Sequence, residues 1–291
     1  MYLHNGRLSP SPKWFYIVLP VLLFGFTALN FLIAQVIDVT ALTKAMIAQK
    51  GELQVLFENM AVFAVFLGVL LVWYRYVHQL PLIKLVSCRE RFSWQRFFLG
   101  FCLWGAITLS VTLADYLMHP ENYVANFQAD KFAILLLLAI VFVPIQTAFE
   151  EFFFRGYLMQ ALGVRVRNAW LPLFFTSVTF GLMHIANPEV GKLGMGLLVY
   201  YIATGFFLGI TTLMDDGLEL AWGFHTANNF FTMLFVTSDW SVFQVPALLR
   251  DISEPQLGVS VFLPLLLFPL LLWLYARKYG WKNWYARLIT P

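Results

Sequence analysis

Two adjacent glutamates and an arginine stand inside an apolar stretch of the sequence, at Glu150, Glu151 and Arg155. A charge at membrane depth is costly, so it faces a bundle interior, pairs with another group and is a candidate for function. On a helix, Glu151 and Arg155 lie four residues apart and can form an ion pair. Glu150 points about 100° away from Glu151. The spacing predicts one carboxylate held by a partner and one free for chemistry. The simpler interpretation is that the cluster marks a helix end at the membrane surface.

Two further pairs of polar or aromatic residues follow at helical spacing, Phe180 with His184 and His225 with Asn229. The members of each pair share one helix face. Taken alone, either histidine is more simply a hydrogen-bonded core residue. Together with Glu150, these side chains lie on otherwise apolar segments, where each needs a polar partner in order to be buried. The sequence therefore predicts that the three motifs meet.

Such a group of side chains fits the hydrolysis of a peptide bond. Glu150 and His184 could take a proton from a water molecule that attacks a carbonyl carbon. His225 and Asn229 could donate hydrogen bonds to the oxyanion that forms. Two alternatives stay open. A glutamate and two histidines can also bind zinc, with water at the fourth position, although the HExxH spacing of zinc proteases is absent. The polar core could also belong to a scaffold, an immunity protein or a transporter without catalytic activity.

The composition is that of an integral membrane protein. Of 291 residues, 60% are hydrophobic and 12% are charged, whereas soluble domains carry about 25% charged residues. The net charge of +3 is too small to indicate a nucleic-acid partner. The two cysteines, Cys88 and Cys102, predict neither a disulfide framework nor a metal site. No repeat or linker divides the chain, so residues 1–291 are expected to form a single transmembrane domain.

Apolar runs near the roughly 20 residues needed to cross a bilayer predict an all-α, polytopic membrane helical bundle of about eight transmembrane helices. The predicted spans are Trp14–Ile37, Phe57–Trp73, Phe97–Met118, Phe132–Leu162, Ala169–Ala186, Gly194–Met214, Leu218–Val236 and Val259–Tyr279. Pro188 predicts that the fifth of these helices ends at Asn187. The turn Asp215-Asp216-Gly217 is expected to be a solvated break between helices.

The positions of the basic residues predict the orientation in the membrane, because cytoplasmic loops are enriched in Lys and Arg. Thirteen of these residues fall on the side of the two termini and five on the other, with Arg155 left out as intramembrane. The thirteen are Arg7, Lys13, Arg75, Lys84, Arg89, Arg91, Arg96, Arg165, Arg167, Arg277, Lys278, Lys282 and Arg287; the five are Lys44, Lys50, Lys131, Lys192 and Arg250. A multi-pass protein of the cell membrane with both termini in the cytoplasm is predicted.

The three motifs, in this order on separate spans, resemble those of the CAAX protease and bacteriocin-processing family. This group comprises the type II CAAX prenyl endopeptidases and their bacterial relatives, also called the abortive-infection family. The similarity covers roughly Phe132 to Val236. It implies an eight-helix intramembrane glutamate protease that works without a metal or other cofactor. The substrate would be a peptide or membrane protein, prenylated or bacteriocin-like, reached from the lipid bilayer.

The resemblance also implies a role for each motif residue. Glu150 and His184 would activate the water, and His225 and Asn229 would form the oxyanion hole. Glu151, Arg155 and Phe180 match supporting positions.

Overall fold

The structure is a computed structural model that describes residues 2–166 and 168–289, so Arg167 of the predicted basic loop lies outside the described residues. The described chain is mainly helical. Its α-helices are α1 (Phe15–Ala34), α2 (Val39–Lys50), α3 (Glu52–Val72), α4 (Ile83–Val86), α5 (Trp94–Met118), α6 (Ala129–Glu151), α7 (Met159–Arg165), α8 (Trp170–Leu182), α9 (Pro188–Leu193), α10 (Leu197–Asp215), α11 (Glu219–Phe235), α12 (Leu263–Tyr279) and α13 (Trp284–Leu288).

Three short strands join distant loops at one end of the bundle. They are β1 (Tyr123–Ala125), β2 (Val236–Ser238) and β3 (Leu249–Asp251). β3 lies in the middle, antiparallel to β1 and parallel to β2. Each strand has three residues. The sheet therefore ties loops together without altering the predicted all-α class, which the structure confirms.

Within residues 2–166 and 168–289, five helical segments are long and apolar enough to cross a membrane. They are Phe15–Ala34, Glu52–Val77, Trp94–Met118, Ala129–Arg165 and Leu197–Asp215. Each of the three other predicted spans also contains a helix, but α8 has 13 residues, and α11 and α12 have 17 each. The exact number of eight spans stays a prediction.

Both terminal segments reach the same turn of the chain. The backbone N–H of Tyr2 donates to Asp216 Oδ1 at 3.0 Å, and Arg287 pairs with Asp216 Oδ2 at 2.7 Å. These two contacts bring both ends of the described chain to the turn at Asp216.

The turn at Asp215 and Asp216 is an ion-pair centre, so the expectation of a solvated break is wrong. Asp215 is 5% exposed. Its carboxylate accepts hydrogen bonds from Arg89 at 2.6 Å and from Arg96 at 2.9 Å. Because the two arginines lie more than a hundred positions earlier in the chain, local composition could not reveal these partners.

The helix that carries the first motif is continuous over 37 residues, from Ala129 to Arg165. It widens to π geometry over Phe152–Leu158, directly after the two glutamates. Such widened turns shift the side chains that follow and are frequent at functional sites. Here the π segment is wholly buried, which places the first motif in the centre of the bundle.

Helix α11, which carries the third motif, packs closely between α5 and α6. Glycine makes the close approach to α5 possible, because a Cβ added to Gly223 would lie 2.0 Å from the carbonyl oxygen of Phe97. Small residues permit such contacts between membrane helices. A second pair, α8 and α10, packs alongside. The motif-bearing helices α6, α8 and α11 therefore surround a common space.

Candidate active site

The ion pair predicted from helical spacing is present. Arg155 NH1 lies 2.8 Å from Glu151 Oε1, and both side chains are fully buried. Arg155 NH2 also donates to the carbonyl oxygen of Gly205 at 3.2 Å, and the guanidinium lies 4.2 Å from the ring centroid of Phe180. A cation over an aromatic face is favourable. Phe180 thus contacts the charge of the first motif directly.

His225 lies between the two glutamates. Its Nδ1 is 2.8 Å from Glu151 Oε1, and its Nε2 is 3.5 Å from Glu150 Oε2. Since a carboxylate only accepts hydrogen bonds, Nδ1 is the donor to Glu151. The contact of Nε2 with Glu150 is longer than a normal hydrogen bond, so Nε2 is not hydrogen-bonded to Glu150. Glu151 therefore holds both Arg155 and the histidine of the third motif.

Glu150 is the less engaged of the two carboxylates, as the sequence predicted. Gln146 Nε2 donates to its Oε1 at 2.5 Å. Within the described part of the chain, its Oε2 is buried and has no hydrogen-bond partner. Asn229 reaches the same group through Gln146, because its Nδ2 donates to Gln146 Oε1 at 2.9 Å. The atom closest to being a partner of Oε2 is Nε2 of His225, at 3.5 Å.

His184 lies in a turn after helix α8, because the helix ends at Leu182 and not at Asn187 as predicted. Backbone N–H groups in this turn bond to carbonyls three residues earlier, as from His184 to Gly181 at 3.1 Å. Nδ1 of His184 lies 2.9 Å from the carbonyl oxygen of Phe180. A carbonyl only accepts, so Nδ1 carries the hydrogen and Nε2 is an acceptor. The ring stacks on Tyr201 at 4.1 Å.

A cavity of about 480 Å³ connects the three motifs. Its polar lining includes Gln146, Glu150, His184, Asn187, Glu189, Tyr200, Tyr201, Asn228 and Asn229, and its apolar lining includes Phe26, Phe63, Phe66, Phe149, Phe154 and Phe180. At its edge the Val242 N–H donates to Glu189 at 2.7 Å, and burial raises the pKa of the Glu189 carboxyl.

The predicted site residues divide between this cavity and the layer behind it. Glu150, His184, Asn229 and Phe180 line the cavity, and Glu151, Arg155 and His225 support them from behind. His184 and Glu150 share the cavity without a hydrogen bond between them among the described contacts. Among residues 2–166 and 168–289, no three His, Cys, Asp or Glu side chains converge in a way that could hold a metal ion.

Sequence reasoning missed four residues of this site. Gln146 contacts Glu150 and Asn229, Asn228 contacts Asn229, Trp104 contacts Asn228, and Tyr201 stacks on His184. Gln146 lies four residues before Glu150, so the helical spacing that identified the Glu151–Arg155 pair could have identified it as well. The other three contact the motifs from separate parts of the chain or from an adjacent position, and no local spacing indicates them.

The fold and the site define a polytopic helical membrane protein with a buried centre of glutamate, histidine, arginine and asparagine. Residues 129–231 match the family model described as type II CAAX prenyl endopeptidase Rce1-like. In this segment the chain is similar to that family, which confirms the resemblance seen in the three motifs.

One relative is similar over a longer stretch. Over 173 residues the chain is 35% identical to the uncharacterized protein YyaK of Bacillus subtilis (strain 168). This stretch covers 58% of the chain and 57% of YyaK. No solved structure matches the chain.

Proposed function

We propose that the protein is an intramembrane endopeptidase that hydrolyses a peptide bond with a water molecule activated by Glu150 and His184. The observation that carries the proposal is the cavity shared by Glu150, His184 and Asn229, with Oε2 of Glu150 unpartnered among the described residues. The match of residues 129–231 to the type II CAAX prenyl endopeptidase Rce1-like model supports an endopeptidase.

In this mechanism Glu150 Oε2 is the general base. It accepts a proton from water while the water oxygen bonds to the carbonyl carbon, and the C=O electrons move onto the carbonyl oxygen. His184 Nε2 accepts a hydrogen bond from the same water and orients it. The proton then passes from Glu150 to the amide nitrogen as the C–N bond breaks. The products are a carboxylic acid and an amine.

The oxyanion is stabilised by side chains of the third motif. Asn229 Nδ2 carries two hydrogens, of which one is donated to Gln146 and the second is available to a substrate oxygen. His225 Nε2 donates as well in the imidazolium form, which this role requires because Nδ1 already donates to Glu151. Glu151 and Arg155 act indirectly: Glu151 orients the His225 ring, and Arg155 neutralises the charge of Glu151. Phe180 packs against the guanidinium of Arg155.

The substrate is proposed to be a peptide or a segment of a membrane protein. The cavity volume, about 480 Å³, falls within the range of about 300–1,000 Å³ that is usual for ligand clefts. Its walls are rich in phenylalanine, which favours an apolar peptide or a peptide that carries an apolar modification. Prenylated and bacteriocin-like peptides both meet this requirement.

We further infer a cell-membrane protein with both termini in the cytoplasm, because the basic residues favour that side. In a background with Cys88→Ala and Cys102→Ala, an impermeant maleimide should label Leu8→Cys and Tyr285→Cys only after lysis. Both positions are exposed, at 61% and 70%. Leu42→Cys on α2 should label in intact cells and serves as the control. Labelling of Leu8→Cys or Tyr285→Cys in intact cells would contradict the orientation.

The proposed activity is tested with purified protein in detergent and a panel of prenylated and unmodified peptides. We expect cleavage of at least one peptide, with products identified by mass spectrometry, and little effect of chelators. Loss of activity with a chelator and its return with zinc would instead assign the site to a metal-dependent protease. Comparison of membrane-fraction peptides from wild-type cells and a Glu150→Gln strain identifies the natural substrate.

A further inference from the structure

Four hydrogen bonds form a single chain that ends on Glu150. Trp104 Nε1 donates to Asn228 Oδ1 at 3.1 Å, and Asn228 Nδ2 donates to Asn229 Oδ1 at 3.1 Å. Asn229 Nδ2 donates to Gln146 Oε1 at 2.9 Å, and Gln146 Nε2 donates to Glu150 Oε1 at 2.5 Å. We call this series the amide chain. It joins α5, α11 and α6.

Both ends of the amide chain require that each of its hydrogen bonds is donated in the direction from Trp104 to Glu150. An indole N–H only donates, so the oxygen of Asn228 must face Trp104. A carboxylate only accepts, so the nitrogen of Gln146 must face Glu150. Each of the three amides between these ends has two orientations, and only one set satisfies both ends. Trp104 is 2% exposed, so bulk water does not readily replace its partner. The chemistry of the ends therefore fixes the orientation of all three amides.

Because the hydrogen bonds of the amide chain run in one direction, the two carboxylate oxygens of Glu150 have different hydrogen-bonding surroundings. Oε1 accepts the N–H of Gln146, and a proton placed on Oε1 would face that donor hydrogen. Oε2 has no hydrogen-bond partner among the described residues. Consecutive hydrogen bonds of one direction also polarise and strengthen one another. The same direction turns the nitrogen of Asn229, and not its oxygen, toward Gln146 and Glu150.

We propose that Gln146, Asn228 and Trp104 are positioning residues of the proposed peptidase, an inference that rests on the proposed function. The amide chain holds Oε1 of Glu150 so that Oε2 is the oxygen that takes the proton from water. It also holds Asn229 with its N–H groups toward the reacting carbonyl. None of the three residues belongs to the motifs that indicated the site.

The first test compares the kinetics of variants that break the amide chain with a matched control. Gln146→Met removes both hydrogen bonds of Gln146 at similar volume, and Trp104→Phe removes the terminal donor. One net hydrogen bond corresponds to a rate factor of about tenfold. We expect kcat to fall about tenfold or more in Gln146→Met and less in Trp104→Phe, with KM unchanged and with some loss of thermal stability from the buried amide groups left unpaired.

The control is Thr147→Val, which removes a buried hydrogen bond to Thr226 of 2.9 Å from the next position of the same helix. Its kcat should equal that of the wild type. Wild-type kcat in both Gln146→Met and Trp104→Phe would overturn the inference. So would a loss confined to KM or to stability, because a purely structural role predicts that result. If Gln146→Met does not fold, the kcat of Trp104→Phe alone tests the inference.

The second test does not depend on cleavage. The indole N–H of Trp104 is observed by NMR in protein labelled with ¹⁵N-tryptophan, and Trp104→Phe assigns its resonance. Gln146→Met and Glu150→Gln should both shift this resonance, whereas Thr147→Val should not. If the Trp104 resonance shifts in these variants but the wild-type protein cleaves no peptide, the amide chain is supported and the proposed function is rejected. If cleavage depends on Glu150, but Gln146→Met has normal kinetics and an unshifted Trp104 resonance, the proposed function is supported and the positioning role of the amide chain is rejected.

Discussion

Replacement of Glu150 by glutamine is expected to abolish peptide cleavage and to leave folding intact. The substitution removes the basic carboxylate but keeps size and shape, and the new side-chain oxygen can still accept the hydrogen bond from Gln146. General-base catalysis contributes about 10²–10⁴-fold, so residual turnover should be lower by at least that order. The measurement is the rate of product formation by purified protein at saturating peptide.

A matched control for this variant is Glu58→Gln. Glu58 lies on α3 and pairs with Lys50 at 2.8 Å, and its side chain is 36% exposed, so the same chemical change occurs outside the lining of the cavity. His184→Ala should lose activity to an extent comparable to Glu150→Gln, and Asn229→Ala should lose roughly 10²–10³ in turnover as an oxyanion donor. A Glu150→Gln protein that cleaves at the wild-type rate would refute Glu150 as the base.

The sequence alone predicted the elements of the site well because helical spacing is a local property. The Glu151–Arg155 pair follows from positions four apart on one helix, and the structure contains it at 2.8 Å. The membrane class follows from apolar runs that a bilayer requires. The all-α class follows in turn, because a helix satisfies its own backbone hydrogen bonds in lipid.

Contacts between helices could not be predicted in the same way. The bond from His225 to Glu151 joins residues 74 positions apart, and the bond from Asn229 to Gln146 joins residues 83 apart. Such pairs depend on how α6 and α11 are rotated against each other. That rotation is set by packing, and the close contact at Gly223 fixes the face of α11 that meets α5. Spacing indicated which side chains need partners but did not indicate which partners they have.

Two expectations from the sequence are wrong for physical reasons. Acidic residues beside a glycine are typical of exposed turns, which predicts Asp215 in solvent, yet Arg89 and Arg96 pair with it in a buried position. Pro188 predicts a helix that includes His184 and ends at Asn187. In the structure, tighter three-residue hydrogen bonds end the helix at Leu182. In both cases tertiary contacts or local backbone geometry outweighed the pattern.

The second large effect is expected for Arg155→Ala, which should reduce the amount of folded protein in the membrane. Arg155 is fully buried, pairs with Glu151 and donates to the carbonyl of Gly205. Its removal leaves the buried carboxylate of Glu151 hydrogen-bonded to His225 but without its ion-pair partner. Breaking a buried pair by removing one member costs about 3–5 kcal/mol. Thermal unfolding of the purified protein and its abundance in membranes measure the loss.

A double-mutant cycle separates the ion pair from general packing. Arg165→Ala, on the same continuous helix but at the surface, is the matched control and should change stability little, because its bond to the carbonyl of Lys13 is exposed. Glu151→Gln combined with Arg155→Ala removes both charges. This double variant should be more stable than Arg155→Ala alone, because no unpaired carboxylate stays buried. It should nevertheless be impaired in cleavage, since His225 loses the carboxylate that orients it. If Arg155→Ala instead has wild-type abundance and thermal stability, the pair does not stabilise the fold, and Arg155 is then retained only for its contact with the catalytic centre.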